Sequence, residues 1–259
     1  MQAWRKAWIL LAGVAMLTAA ADAGTPVAGP DAQFRKLYTE EYAWRQRQQA
    51  PNEDSPKDQK QSLPDVGPAV QAERLARWTA TLAALNKIRQ SALSPAEQVN
   101  YAVYKGQIEA LLNEQKYRDY EKPLNADSSF WGDLAGSARG DFVREEDYRR
   151  YLATLRDVPR YFGQQIENMR AGLKRGFTPS RITLQGRDAG VAKVAEAKST
   201  ADSPFFAPFT KFPAGMPAET QAKLRAEGEA AIREAVVPAH AKLLRFLRDE
   251  YIPGARTSL

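Results

Sequence analysis

The side chains that carry most enzymatic chemistry are scarce in this chain. Its 259 residues include one histidine, His240, and no cysteine. A zinc site needs several ligands around one ion, and nucleophilic catalysis needs a base beside the nucleophile. No second histidine stands four residues from His240. We therefore expect its imidazole to lie at the surface or at the edge of the core, and not to bind a metal.

Paired carboxylates are the next candidates for acid–base chemistry. The sequence offers two doublets, Glu40-Glu41 and Asp249-Glu250. Neighbouring residues of a helix point about 100° apart, so the carboxylates of a doublet do not readily face one reacting group. We interpret both doublets as parts of solvated helix faces.

A charged cluster surrounds the only segment that we predict to be a short strand, Arg181 to Leu184. Arg181, Arg187 and Asp188 flank this segment at a loop-to-helix junction. Side chains and backbone amides at such a junction can hold an anion together. One interpretation is a clamp for the carboxylate of a peptide or amino acid. The alternative is that Arg187 and Asp188 only fix a turn.

The first 23 residues have the pattern of a secretory signal peptide. Arg5 and Lys6 precede an almost unbroken apolar run from Ala7 to Ala21, and Ala21 and Ala23 are the small residues that a signal peptidase accepts. The apolar run is shorter than the roughly 20 residues of a membrane-spanning helix. We predict cleavage after Ala23 and Sec-type export to the periplasm or the exterior, with no membrane attachment after cleavage.

The mature chain, residues 24–259, is long enough to bury a core without disulfides. The whole chain carries a net charge of +6 at pH 7, and removal of Arg5, Lys6 and Asp22 leaves +5. Nucleic-acid-binding proteins concentrate basic residues on one face, whereas segments such as 144–150 mix both signs. The sequence therefore argues against a nucleic-acid partner, and the lack of cysteine favours a bacterial periplasm.

Helical periodicity dominates the mature chain. Apolar residues recur at steps of three and four along six segments that we predict to be helices: 31–49, 68–90, 94–120, 145–173, 188–197 and 217–251. Pro159 and Pro238 predict a kink, or two abutting helices, in the fourth and a kink in the last. The predicted fold class is all-α, a multi-helix antiparallel array with long proline-rich loops and at most one or two short strands.

Two of these helices have defined starting signals. Asp31 suits the cap of the first helix. Ser94 and Glu97 flank a proline at the first position of the third helix, which combines a cap, a favourable first residue and an acidic partner. Further along that helix, Val99 and Val103 begin the stripe that we expect to face the core.

Two long segments lack helical periodicity. Residues 50–64 contain three prolines and are predicted to form an exposed loop. The segment from Ser203 to Pro213 combines three prolines with four phenylalanines. The aromatic rings of this segment must be buried, either because they pin a loop onto the helices or because they form the lip of a substrate cleft.

Five strings of the sequence together resemble the amino-terminal half of a bacterial family, the domain-of-unknown-function family 885. The strings occur in the family's order and extend over nearly all of the mature chain. They are Phe34–Arg45, Glu97–Tyr104, Asp127–Trp131, Asn168–Gly172 and Arg248–Arg256. None of them is a catalytic motif, so the resemblance depends on their number and order.

The resemblance implies an exported, mostly helical protein similar to zinc metallopeptidases. In the family, a His-Glu-x-x-x-Gly-His-His helix and a downstream glutamate lie in a second half, and nothing in this sequence matches them. The resemblance therefore assigns no catalytic or metal-binding residue here, and zinc is expected only in the missing half. As candidates for binding a peptide together with that half, we select Asp127, Ser128, Trp131, Arg181 and Arg187.

Two functional hypotheses follow. In the first, residues 24–259 are the substrate-shaping half of a zinc-peptidase-like protein, truncated before its metal site and inactive alone. In the second, the chain is a free-standing helical module of the periplasm that binds or interacts with another molecule. The first depends on the resemblance, and the second on a chain that has apolar residues enough for a core of its own.

Overall fold

The computed structural model describes residues 29–49, 63–125 and 127–258. Over these residues the protein is all-α, as predicted, with no strand and one isolated bridge between Leu124 and Ser129. The predicted signal peptide with Ala21 and Ala23, and nearly all of the predicted loop at 50–64, lie outside the described residues. The α-helices are α1 (Pro30–Arg47), α2 (Pro68–Leu85), α3 (Pro95–Tyr117), α4 (Phe130–Gly136), α5 (Glu145–Lys174), α6 (Arg181–Leu184), α7 (Ala189–Ala195), α8 (Ala218–Ala231), α9 (Val237–Phe246) and α10 (Ile252–Gly254).

The first three helices form a unit with its own core, which we call the arm. Each helix has a proline in its first turn, where the missing N–H would have no helical partner anyway. The start of α3 returns to the end of α2, where the Tyr101 hydroxyl donates to the Leu85 carbonyl at 3.1 Å. The buried apolar side chains of the arm are Phe34, Trp78, Leu85, Leu93, Tyr101, Tyr104, Ile108 and Leu112.

The remaining helices form a second core, the body, around the 30-residue helix α5. α5 packs against α8, α9 and the π-helical turn between them, while α7 packs on α9. Three of the four phenylalanines in the Ser203–Pro213 segment, on a 3₁₀ helix, are buried in this core. The structure therefore pins that segment onto the helices through its aromatic rings. No helix among the described residues is long and apolar enough to span a bilayer.

Both connections between the arm and the body attach to α5. On one side, the Leu63 N–H donates to Asp157 at 2.9 Å, and the Asn168 amide donates to the Val66 carbonyl at 2.7 Å. On the other, the 3₁₀ turn after α3 packs so closely on Gly172 that a Cβ there would lie 2.7 Å from the Glu121 carbonyl oxygen. The arm is thus fixed to one helix at two separate places.

Prolines do not divide the long helices as the sequence suggested. α5 continues through Pro159 as one helix, which excludes the two abutting helices that we predicted as the alternative to a kink. The last helical stretch contains two π-helical turns, Ile232–Val236 and Leu247–Tyr251, which stand just before Pro238 and Pro253. A π turn changes the hydrogen-bond ladder by one residue, which lets the helix continue where proline lacks an N–H.

Four local predictions need correction, and the first is the strand. Arg181–Leu184 forms the one-turn helix α6. The Thr183 N–H and hydroxyl both bind the Ser180 carbonyl, at 3.0 and 2.8 Å. No neighbouring strand exists within the described residues to complete a ladder, so local bonds decide the conformation.

The second correction concerns the cap of α1. α1 begins at Pro30, and Asp31 instead accepts a 2.9 Å hydrogen bond from the Ser94 N–H, which ties the starts of α1 and α3 together. The predicted start of α3 after Ser94 is confirmed.

The third correction concerns the outer face of α3. Val99 and Val103 are exposed, because the opposite face of α3 packs on α1 and α2.

The fourth correction concerns Glu97, whose carboxylate does not reach back to Ser94. It is buried and accepts hydrogen bonds from Arg35 at 2.6 Å and from Asn100 at 3.0 Å. Arg35 belongs to α1, so this carboxylate joins two helices of the arm. An acidic residue at this position is typical of a capping box, but here a long-range cation competes successfully for it.

Candidate functional site

Four of the five predicted substrate-binding residues lie where two turns meet, which we call the loop–turn junction: residues 124–125, 127–131 and 186–188. The Arg187 guanidinium donates from Nη2 to the Ser128 carbonyl oxygen at 2.9 Å. Asp127 precedes this contact and Trp131 follows it. The structure thus brings Ser128 and Arg187, which are 59 residues apart, into direct contact.

Asn125 determines the shape of the loop. Its side-chain oxygen accepts hydrogen bonds from the Asp127 and Ser128 N–H groups at 2.7 and 2.8 Å. Its own N–H donates to the Ser128 carbonyl at 3.1 Å, and Ser129 then caps α4 through Gly132. This local network leaves the Asp127 carboxylate exposed and without a partner among the described residues.

The second turn is held by ion pairs. Gly186 has a φ of +74°, a left-handed conformation that favours glycine. Asp188 accepts a 2.7 Å hydrogen bond from Arg248, which also binds Glu196 at 3.1 Å. The Nε of Arg187 is buried with no acceptor among the described residues. Asp188 therefore ties the turn to Arg248, while Arg187 extends to the loop.

Arg181 has different partners from Arg187. Its guanidinium donates to the carbonyl oxygens of Pro253 and Ala255, and its backbone N–H donates to Arg256 at 2.8 Å. These three contacts fasten α6 to the end of the described chain. The two arginines of the predicted clamp thus bind separate sets of carbonyl groups.

Trp131 supports the junction from inside the body. It is buried, and its ring meets Phe130 edge to face at 5.0 Å. Phe130 in turn contacts Tyr161 and Phe162 of α5 at 5.8 and 5.1 Å. Residues at the start of α4 therefore anchor the loop to the central helix through aromatic contacts.

His240 lies in the body core, and its predicted position at the surface or the core edge was wrong. Its ring stands between Phe162 and Phe205, at 4.8 and 5.4 Å. Nδ1 lies 2.8 Å from the Val236 carbonyl oxygen, so it carries the proton and donates. Burial lowers the pKa of His240 to about 4. Within the described residues no three His, Cys, Asp or Glu side chains are grouped to hold a metal ion.

Buried carboxylates are the polar sites that the sequence did not reveal. Glu41, predicted to be solvated, is fully buried and accepts hydrogen bonds from Trp78 Nε1 at 3.0 Å and from Tyr104 at 3.2 Å. Arg45 is 3.3 Å away. Burial and the nearby Glu41 charge raise the pKa of Tyr104. No short-range signal marks Glu41, because Trp78 and Tyr104 are 37 and 63 residues away.

A family model described as "Bacterial protein of unknown function (DUF885)" matches residues 50–258. The chain belongs to this family. The match confirms the family resemblance, and among its strings only Phe34–Arg45 precedes the matched residues. No curated protein matches.

A solved structure adds to the DUF885 match at the level of the fold. It is described as "the putative lipoprotein from Colwellia psychrerythraea" and superposes with a TM-score of 0.68 at 15% sequence identity. The alignment covers 89% of this chain and 43% of the other. At this identity the similarity shows the fold alone. The chain therefore corresponds to less than half the length of that protein.

Two of the DUF885-like strings meet in the structure. Arg170 of α5 forms two hydrogen bonds with Glu250, at 2.8 and 2.6 Å, and its guanidinium lies 5.1 Å from the Phe246 ring. A groove of about 290 Å³ surrounds this pair, lined by Ile166, Arg170, Lys242, Arg245, Phe246, Asp249 and Glu250. The bonds between Arg170 and Glu250 join α5 to the π-helical turn Leu247–Tyr251.

Proposed function

We propose that this chain is the helical, non-catalytic part of an exported zinc-peptidase-like protein, and that it shapes the substrate site without supplying the metal. One observation carries the proposal: 89% of the chain corresponds to 43% of a longer bacterial protein. This chain therefore has the fold of one part of a larger molecule. The zinc ligands that the family resemblance implies would come from the other part.

The loop–turn junction is the proposed contact with a peptide substrate. The Asp127 carboxylate is exposed and has no described partner, so it can accept hydrogen bonds from a peptide amino group. Ser128 and Arg187 hold the loop in place, and Trp131 anchors it. Arg181 contributes by fixing the segment around Ala255.

We propose a periplasmic location, reached by Sec-type export with cleavage after Ala23. The basic and apolar pattern of residues 1–23 supports this location, as does the lipoprotein description of the solved Colwellia structure. Amino-terminal sequencing of the exported protein tests it, with Gly24 expected as the first residue. An uncleaved amino terminus would contradict the proposal.

A peptidase assay with added zinc tests the functional proposal. We expect no turnover by the purified chain alone. The polypeptide encoded after the Leu259 codon should carry the His-Glu helix, and mixing it with this chain should give zinc-dependent turnover. Zinc-dependent turnover by this chain alone would overturn the proposal. A downstream region without a His-Glu helix in any frame would also count against it.

A second candidate function is a free-standing helical binding module. Its support is that the arm and the body each bury an apolar core among the described residues. This candidate predicts a soluble monomer with one cooperative unfolding transition for residues 24–259. Aggregation, or a compact state without fixed packing, would instead favour a part that needs the rest of a larger fold.

A further inference from the structure

The outer face of α3 carries an exposed stripe without a charged side chain. Its members recur at alternating steps of four and three residues, which places them on one line along the helix. This line, the α3 stripe, consists of Val99, Val103, Gly106, Ala110, Asn113 and Tyr117, all of them exposed. At 1.5 Å per residue, the stripe is about 27 Å long.

The large side chains of the α3 stripe are unusually exposed for their type. Val99, Val103 and Tyr117 are 64%, 68% and 69% accessible to solvent. Single exposed apolar residues are common on proteins, whereas several along one line of a helix are typical of a surface that contacts another element. The opposite face of α3 already packs within the arm through Tyr101 and Ile108. Among the described residues, α1 and α2 cover that inner face of α3, and the α3 stripe stays exposed to solvent.

The shape and the flanks of the stripe suit another protein helix. A Cβ added at Gly106 would meet nothing within 4 Å, and Ala110 is also small, so a partner backbone can approach the middle closely. Beside the stripe, Lys105 pairs weakly with Glu109 at 3.9 Å, and Glu114 and Lys116 follow. Charges of both signs do not favour an anionic membrane surface.

We infer that the α3 stripe is where the remaining part of a longer fold packs onto this chain; the inference rests on the two-part architecture of the proposed function. The matched protein has more than half of its length outside the alignment, which supplies an occupant. A second copy of this chain fits less well. Two stripes about 27 Å long and 10 Å wide would bury on the order of 600 Å², about half of what a stable dimer needs.

Matched substitutions in the short and the long protein test this inference. Val103→Lys in this chain should change the Tm by less than about 2 °C, as should Val143→Lys, an equally exposed control away from the stripe. In the full-length Colwellia protein, lysine at the residue aligned with Val103 should lower the Tm by more than about 5 °C, because it would bury a charge. The crystal coordinates of that protein should show the aligned stripe in contact with residues outside the match.

The inference would be overturned if the residues of the Colwellia protein that align with the α3 stripe were exposed to solvent. An unchanged Tm of that protein after the lysine substitution would also overturn it. So would a dimer of this chain, seen by light scattering, that Val103→Lys dissociates, because the stripe would then belong to a second copy. A peptidase assay of the long protein separates the two proposals. If the aligned stripe is covered in the long protein but that protein has no peptidase activity, only the proposed function is wrong. If the long protein is active but its aligned stripe is exposed, only this inference is wrong.

Discussion

The indole nitrogen of Trp78 donates a 3.0 Å hydrogen bond to the carboxylate of Glu41, in the interior of the arm. Tyr104 donates to the other carboxylate oxygen at 3.2 Å. Because Glu41, Trp78 and Tyr104 belong to α1, α2 and α3, one buried anion joins all three helices. The arm therefore depends on a polar centre as well as on its apolar core.

Glu41→Ala should destabilise the protein by about 3 kcal/mol or more, because it leaves the Trp78 and Tyr104 donors buried without an acceptor. Glu40→Ala is the matched control: it changes the same residue type in the same helix, but the Glu40 side chain is 60% exposed. We expect it to change stability by less than about 0.5 kcal/mol. Urea unfolding measures both, and equal effects would show that the Glu41 contacts contribute nothing.

His240 should make stability depend on pH. Its pKa falls from 6.5 to about 4 on folding, so the unfolded chain binds the proton more tightly. The part of the stability that depends on a neutral His240 is fully present above pH 6.5 and is lost as the pH falls toward 4. Between pH 7 and pH 4 the free energy of unfolding of the unchanged protein should fall by about 3 kcal/mol more than that of the His240→Gln variant, whose side chain cannot titrate. Parallel urea titrations test this, and identical pH profiles would refute it.

Gly172→Ala should weaken the attachment of the arm to the body. The added methyl group would lie 2.7 Å from the Glu121 carbonyl oxygen and 3.0 Å from that of Phe177, both rigid backbone atoms. We expect a loss of about 2 kcal/mol. Gly163→Ala, in the same helix, meets nothing within 4 Å and should stabilise α5 by about 0.5 kcal/mol. Thermal unfolding compares the two, and a shift of the same sign in both would contradict the close contact.

Asp127→Asn should alter substrate binding without altering stability. The carboxylate is exposed and has no described partner, so unfolding by urea should be unchanged. If this chain forms the proposed zinc-dependent assembly with a second part, the KM of that assembly for peptides with a free amino terminus should rise about tenfold, since a charged hydrogen bond is lost. Asp141→Asn, also exposed, is the control. Equal KM values for the two variants would remove Asp127 from the site.

Signals that act within a few residues of the chain were sufficient to predict much of the fold. Three- and four-residue periodicity gave the all-α class, and the proline after Ser94 gave the start of α3, because helix formation and termination depend on neighbouring residues. The buried phenylalanines of the Ser203–Pro213 segment also followed from composition. At the candidate site, the sequence identified Ser128 and Arg187 as candidate binding residues, but it did not predict that they contact each other.

Only the tertiary structure decided which surfaces were buried. The periodicity of α3 predicted that Val99 and Val103 face the core, but the packing of α1 and α2 buries Tyr101 and leaves Val103 exposed. Glu40 and Glu41 have the same local sequence environment, yet only Glu41 meets donors from two other helices. Burial depends on partners far away in the sequence, whereas helix formation depends on neighbours, and for this physical reason the sequence alone determines the helices but not their faces.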